Sequence, residues 1–419
     1  MEGSFIENIQ MTLYWYLRHE KPVSLKNYFF LFFNIFQIVC LFLLSKFIRD
    51  NRKKDGKIVI GFSNLYFNGN TRAVFEYVQN HLEKYEVFWF ADDFNSLQKV
   101  RKSGSKAFLK NGILGIPYFY KADVWITGRT GGINIPALPH KKYITIQLFH
   151  GIGVKPKHRK KNYYAPYDVW CLPSTYSKKR QIELYNAPSH KIQVTGFPRI
   201  DSLVKYLDYP KEKILNELKI KKNKKIIFYA PTWGIGSQYM GDGLWPWGDE
   251  IKQFENVCEF CQENDLTLIL RLHPYASIKR DESKIKTLKS IMKRYENIYW
   301  LDMKDEPQTT KLLAITDILI TDWSSIFTDF YLTERPIIFL EDEESKKLIQ
   351  KQKKSEIPLN FRAGEIVNSE SEFYDTLEFI LTKGNRYKDE QRVLFKKIHG
   401  EADGKASERV VKVIEDLLG

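Results

Sequence analysis

Cysteine is scarce here: Cys40, Cys171, Cys258 and Cys261 are the four in 419 residues. That excludes a disulfide framework for a chain of this length. Cys258 and Cys261 form a C-x-x-C, but within the helical pattern NVCEFCQEN and with no second Cys or His pair nearby to complete a zinc site. They read as structural or incidental cysteines in a reducing, cytoplasmic body. No G-x-G-x-x-G dinucleotide fingerprint and no G-x-x-x-x-G-K-[ST] phosphate loop occurs. Internal repeats and low-complexity linkers are missing too. Asp92-Asp93 and the acidic run Glu341 to Glu344 have no further metal-type ligands beside them and read as surface loops. Neither a metal nor a cofactor is expected.

What is abundant is positive charge and apolar surface. Lys plus Arg number 65 against 51 Asp plus Glu, a net charge of +14, and hydrophobic residues make up 43%. The chain can pack cores, which excludes disorder, and its charge favours an anionic partner: nucleic acid, anionic lipid or a phosphate-rich substrate. The length suits two domains and an extra segment.

That segment is N-terminal. Residues 28–48 read YFFLFFNIFQIVCLFLLSKFI, long enough to cross a bilayer. Arg49, Arg52, Lys53, Lys54 and Lys57 follow, against Lys21 and Lys26 before it, so the body is expected on the cytoplasmic side of the cell membrane. The same cluster would also hold an interfacial helix on anionic lipid, so spanning and peripheral attachment both stay open.

From Lys57 onward, short apolar strands alternate with amphipathic helical stretches. KIVIGFS, YEVFWFA, DVWITG, YITIQLFHG, DVWCLPS and KIQVTGF form one series; KKIIFYAPT, LTLILRLHP, NIYWLD, DILITDWSS and RPIIFLEDE form a second. This predicts α/β architecture with parallel sheets covered on both faces. The expected layout is two Rossmann-like lobes facing a central cleft, of glycosyltransferase-B type. The expected divisions are a membrane-associated segment (1–56), a first Rossmann-like lobe (57–205), a second Rossmann-like lobe (206–385) and closing helices (386–419).

In open parallel sheets the ligand crevice lies outside the carboxyl ends of the strands. His150, Arg199, Thr232, His273 and Ser324 all follow strands, and are expected to converge there. In ILITDWSS, Asp322 is placed to cap a helix whose first turn carries Ser324 and Ser325, which suits either a phosphate or plain capping with solvent-facing serines. His150 follows its strand directly, with Gly151 and Gly153 permitting close approach, and an imidazole can take a proton from a hydroxyl. The basic run Lys155, Lys157, His158, Arg159, Lys160 and Lys161 is either a solvated face or a seat for a polyanionic acceptor. His273 in RLHP is a site residue or a buried, hydrogen-bonded histidine. GFPRID contributes Arg199, whose fork suits phosphate, and Asp201.

Taken together these segments resemble the CDP-glycerol glycerophosphotransferase family, the teichoic-acid and capsule polymer primases and polymerases. The matching pieces are His150-Gly151, GFPRID (196–201), YAPTW (229–233), RLHP (271–274), TDWSSIFTDF (321–330) with RPIIF (335–339), and DGKASERVV (403–411). They run in the family's order from the middle of the chain to its end. The resemblance implies the glycosyltransferase-B fold, attack on the β-phosphate of CDP-glycerol or CDP-ribitol, and release of CMP to leave a polyol phosphate on a lipid-linked or polymeric anionic acceptor. It also implies a base at His150, a further required histidine at His273, and a diphosphate against Ser324 and Ser325. Asp322, Thr232, Arg199, Asp201 and Arg409 are expected on the donor side, and Lys155, Lys157, Arg159 and Lys160 on the acceptor side. Ile152 stands where the family has a hydroxyl, and Trp323 where it has tyrosine.

The nearest rival is a nucleotide-sugar glycosyltransferase of the same fold in surface polysaccharide synthesis. A nucleic-acid-binding protein is suggested only by charge and lacks an RNA-binding signature, so no nucleic-acid partner is expected. A catalytically silent membrane scaffold would have no need of both histidines and both serines.

Overall fold

A computed structural model describes Phe36 and residues 57–64, 66–109, 113–128, 143–154, 167–221, 223–231, 245–247, 250–272, 282–302, 308–343, 346–347, 350 and 355–419. Apart from Phe36, the apolar stretch 28–48 lies outside these residues. So do Lys155, Lys157, Arg159, Lys160, Thr232 and His273. Among the described residues no helix is long and apolar enough to cross a membrane.

Two parallel sheets form the body. The first contains β1 (Ile58–Asn64), β2 (Tyr85–Ala91), β3 (Lys106–Leu109), β4 (Val124–Thr127), β5 (Ile144–Gln147), β6 (Val169–Leu172) and β7 (Ile192–Val194). Its seven strands run in the order β3-β2-β1-β4-β5-β6-β7. The second contains β8 (Lys225–Tyr229), β9 (Leu266–Leu270), β10 (Ile298–Trp300), β11 (Ile318–Thr321), β12 (Ile337–Leu340) and β13 (Glu365–Val367). Its six strands run β10-β9-β8-β11-β12-β13. Every strand read from the sequence is present; β3 and β13 were not read.

The strand sequences explain this arrangement. VWIT in β4 and LTLIL in β9 are buried at every position, because helices cover both faces of each sheet. Gly61 in β1 has no alternative: a Cβ there would lie 2.8 Å from the Trp125 ring of the neighbouring strand.

Six helices matter for the site: α1 (Gly69–His81), α2 (Pro198–Leu207), α3 (Thr309–Ile315), α4 (Ile326–Phe330), α5 (Lys388–His399) and α6 (Ala406–Leu418). Pro198 at the first helical position pre-sets the backbone of α2. Between the two series of strands lies the helix Lys211–Leu218, with Ile214 and Leu215 buried. One apolar cluster runs across both sheets, joining Phe149, Trp170 and Phe197 to Phe228, Leu319, Trp323 and Phe327. Each such side chain contributes about 1.5–3 kcal/mol when buried, so the lobes are fixed against each other by core packing. The closing helix α6 returns to the first sheet, where Val410, Val411 and Ile414 pack with Ile60, Val74 and Val78.

Two acidic segments expected as surface loops have structural work. Asp93 caps the helix Phe94–Lys102, accepting from Ser96 N at 2.8 Å. Glu341 is 1% exposed and paired with Arg362 at 2.9 Å. Cys258 and Cys261 are buried in the apolar cluster of the second sheet, and burial raises both thiols, Cys258 to about 12.

Candidate functional site

Each sheet reverses its winding once, between β1 and β4 and between β8 and β11. These switch points open crevices at the carboxyl ends of the strands, and a cleft of about 300 Å³ lies there. One wall carries Asn64 at the end of β1, Asn68, Asn70 and Arg72 after it, Gly128 after β4, and His150 after β5. The facing wall carries Gln308, Thr309 and Thr310 at the start of α3, and Ser324, Ser325 and Asp329 after β11.

The His150 turn is held by the side chains of Gln147 and Asn70. Phe149 has φ +54, uncommon for a bulky residue. Gln147 Oε1 accepts from Phe149 N at 3.0 Å, and the Asn70 amide donates to Leu148 O and Phe149 O, each at 3.0 Å. Asn70 Oδ1 also accepts from Arg199 N at 3.1 Å, which ties α2 to the same point. A Cβ on Gly151 would lie 3.0 Å from Ser325 Oγ, and one on Gly153 would lie 3.2 Å from Ser325 Cβ. The two glycines therefore let the His150 turn reach the serine turn of the other sheet.

Arg199 lines the cleft beneath this contact. Its Nε and Nη2 donate to the two Asp329 oxygens at 2.6 and 2.8 Å, and its Nη1 donates to His150 O at 3.1 Å. This bidentate pair joins one sheet's turn to the other's. Behind it lies His399, 2% exposed, with Nε2 3.5 Å from Asp329 and its ring stacked on Phe395. Burial pushes the imidazole down to about 4, with Asp329 opposing and Arg199 reinforcing that shift, so it is neutral near pH 7.

The serine turn differs in detail from the expectation. Asp322 Oδ1 accepts from Ser324 N at 3.1 Å, and Ser324 Oγ from Ile326 N at 3.4 Å. The helix α4 starts only at Ile326. Ser324 and Ser325 therefore precede the helix as a polar turn. Trp323 is fully buried with the Arg362 guanidinium 4.4 Å above its ring, so the residue that departs from the family pattern packs in the core.

Asp201 and Arg409, expected at the donor, do not line the cleft and have structural partners. Asp201 accepts from Ala406 N at 3.0 Å and Ser407 N at 2.7 Å, capping α6. Its carboxyl is raised by burial, with these N–H groups acting in the opposite sense. Arg409 donates to Thr195 O at 2.7 Å and pairs with Asp403 at 2.8 Å. The segments 196–201 and 403–411 therefore clasp each other, where a Cβ on Gly196 would lie 2.9 Å from Ala406 Cβ. Asn64, Asn70, Arg72, Gln308 and Asp329 are cleft residues not foreseen from the sequence. The strand-end rule applied to β1 would have found the SNLYFNGNTR turn.

The profile of the CDP-Glycerol:Poly(glycerophosphate) glycerophosphotransferase family matches residues 43–416. The chain belongs to that family. Its members are transferases of phosphorus-containing groups. The chain is 28% identical over 310 residues to a teichoic acid poly(glycerol phosphate) polymerase of Bacillus spizizenii, covering 68% of this chain and 74% of the relative. It is 23% identical to a teichoic acid glycerol-phosphate transferase of Staphylococcus aureus, covering 84% and 91%. A ribitol-phosphate polymerase of the same organism, TarL, is 26% identical, with only 44% of its length covered. The solved wall teichoic acid polymerase TagF shares the fold, with TM-score 0.71, 18% identity, and 98% and 97% coverage. So, more distantly, does the UDP-GlcNAc 2-epimerase of Neisseria meningitidis, with TM-score 0.53, 15% identity, and 86% and 100% coverage. The fold is thus α/β with two parallel sheets, of glycosyltransferase-B type.

Proposed function

We propose that this chain transfers glycerol phosphate or ribitol phosphate from a CDP-polyol to a hydroxyl of a lipid-linked or polymeric acceptor, releasing CMP, in teichoic acid or capsular polymer synthesis. The observation that carries this reading is the packing of the His150 turn against Ser325 within one cleft. A base and a hydroxyl-lined turn then flank the same reacting centre.

In this mechanism the acceptor hydroxyl gives its proton to His150, and its oxygen attacks the donor β-phosphorus. The bond from that phosphorus to the bridging oxygen breaks, and the electron pair leaves with CMP. Ser324 and Ser325 donate to the diphosphate. Arg199 holds the His150 turn in place through its carbonyl, its charge balanced by Asp329. Positioning and electrostatic stabilisation are what phosphoryl transfer chiefly requires. His273 and Thr232 join the donor side by family resemblance, and Lys155, Lys157, Arg159 and Lys160 the acceptor side. The lobe at 57–205 handles the acceptor and the lobe at 206–385 the donor, with 386–419 closing over both. The apolar stretch 28–48 and the cationic cluster after it support attachment to the cell membrane with the body on the cytoplasmic side.

His150→Ala tests the assignment. CMP release is expected to fall by about 10²–10⁴, the usual contribution of a general base; a loss below about tenfold removes His150 from the role. The nucleotide-sugar reading rests on the shared fold with the epimerase. Thermal protection by CDP-glycerol or CDP-ribitol, and none by UDP-sugars, decides between the two.

A further inference from the structure

Between β12 and β13 the chain leaves the second sheet, and Ser355, Glu356 and Ile357 of that connection bond to segments that follow strands of the first. Ser355 Oγ donates to Val154 O at 2.6 Å, and Ile357 N donates to Gly153 O at 3.2 Å. Arg180, on the helix Thr175–Tyr185 after β6, donates to Ser355 O at 2.7 Å and to Glu356 O at 3.4 Å. The neighbouring Gln181, fully buried, donates to Glu356 Oε1 at 2.8 Å. Glu356 and Ile357 are buried as well. The mechanism above uses none of these three residues.

The carbonyls they hold lie three and four residues beyond His150. That stretch carries Gly151 and Gly153, which let it approach Ser325. Glycine admits more backbone conformations than any other residue, so the same two residues leave the turn loose unless an outside contact fixes it. Gln147 and Asn70 fix the side before His150, at Leu148 and Phe149. Ser355 and Ile357 fix the side after it. The other end of their segment is anchored beside the serine turn. Arg362 lies 4.4 Å over the ring of Trp323, the residue before Ser324. The hydroxyl of Tyr331, just after α4, accepts from Ala363 N at 2.7 Å and donates to Phe361 O at 2.6 Å. Residues 355–363 are therefore one continuous link from the serine turn to the His150 turn.

We propose that Ser355–Ile357 is a positioning segment for the catalytic base. By holding the carbonyls of Gly153 and Val154 it keeps the His150 imidazole in register with the serines, from the sheet that carries the serines. The inference rests on His150 acting as the base. Two groups on separate sheets need such a link, because a misplacement of about 1 Å costs on the order of 10²-fold in rate. Ser355 does not line the cleft; it acts through the buried Val154.

Ser355→Ala removes the hydroxyl donor. It is expected to lower kcat for CMP release about tenfold, while the KM for CDP-glycerol holds within about twofold because the serine turn is untouched. Ser355→Thr keeps a hydroxyl and should recover most of the loss. A double-mutant cycle isolates the role: added to His150→Ala, Ser355→Ala should cost less than about twofold, since the group it positions is gone. A segment that only fastened the two sheets together would lower the thermal midpoint and leave kcat of the folded enzyme unchanged, or cut activity equally in both backgrounds. Either result overturns the proposal. Amide hydrogen exchange over residues 148–154 reads the segment without any substrate. Ser355→Ala should speed exchange there about tenfold and leave α6 unchanged. If the wild type releases no CMP from CDP-glycerol, the functional reading falls and exchange still tests the link. Unchanged exchange at 148–154 sinks the positioning role whatever the assays show.

Discussion

Two arginines expected at the donor have the same kind of partner and very different surroundings. Arg199 grips Asp329 between the two sheets, with side chains 10% and 9% exposed. Arg409 grips Asp403 where the closing helix meets the first sheet, with side chains 37% and 39% exposed. Both pairs engage two arginine nitrogens. In the first, water cannot replace a lost partner. In the second it can, and salt screens what remains. Similar chemistry is thus a structural keystone in one region and a modest clasp in the other. The keystone also lies under the site, since Arg199 carries the His150 carbonyl.

The comparison is tested most severely by Asp329→Ala. It leaves Arg199 buried and uncompensated, which costs about 3–5 kcal/mol. Chemical denaturation should show a loss of that size, and CMP release should fall along with it as the His150 turn loosens. A loss under about 1 kcal/mol would mean that water reaches Arg199 and that the pair is no keystone.

His399 gives the next largest effect, through pH. Its folded-state value of about 4 lies below the ordinary 6.5. The unfolded chain therefore binds the proton more readily, and folding stability is fully present above about pH 6.5. It is lost as pH falls from there toward 4, at up to about 1.4 kcal/mol per pH unit. His399→Gln should flatten the stability profile between pH 6.5 and 4 relative to the parent. An unchanged slope would assign acid sensitivity to other groups.

The same contrast between buried and exposed regions governs what could be read from the sequence. The central strands of both sheets are legible because burial on two faces demands continuous apolar runs. β3 and β13 escaped notice because each is an edge strand of only three or four residues that opens on a charged residue, Lys106 or Glu365, and so shows no continuous apolar run. The serine turn and His150 were legible because each directly follows a strong strand. Asn70 was not: its job is to hold the carbonyls of Leu148 and Phe149, far along the chain, and an asparagine near a glycine reads equally well as an ordinary turn. The structural partners of Asp201 and Arg409 were hidden for a related reason. A family motif marks residues that matter without showing that its segments, here 196–201 and 403–411, bond to each other. Glu341 reads as part of an acidic surface run until Arg362, distant in sequence, is seen beside it.

The smallest expected effect sharpens the comparison from the other side. Asp403→Ala breaks the exposed pair and also removes an acceptor from Lys405 N at 3.0 Å. The Asp403 carboxyl sits below its usual range, chiefly through its hydrogen bonds to Arg409, but water competes for both partners. Arg409 also keeps its bond to Thr195 O, and Asp201 still caps α6. The loss should stay at about 0.2–1 kcal/mol and shrink further in high salt. CMP release should hold within about twofold, because neither residue lines the cleft. If instead Asp403→Ala cuts turnover while stability holds, the clasp does more than fasten α6: it would transmit to the cleft through α2, whose Pro198–Arg199 start is shared by both regions.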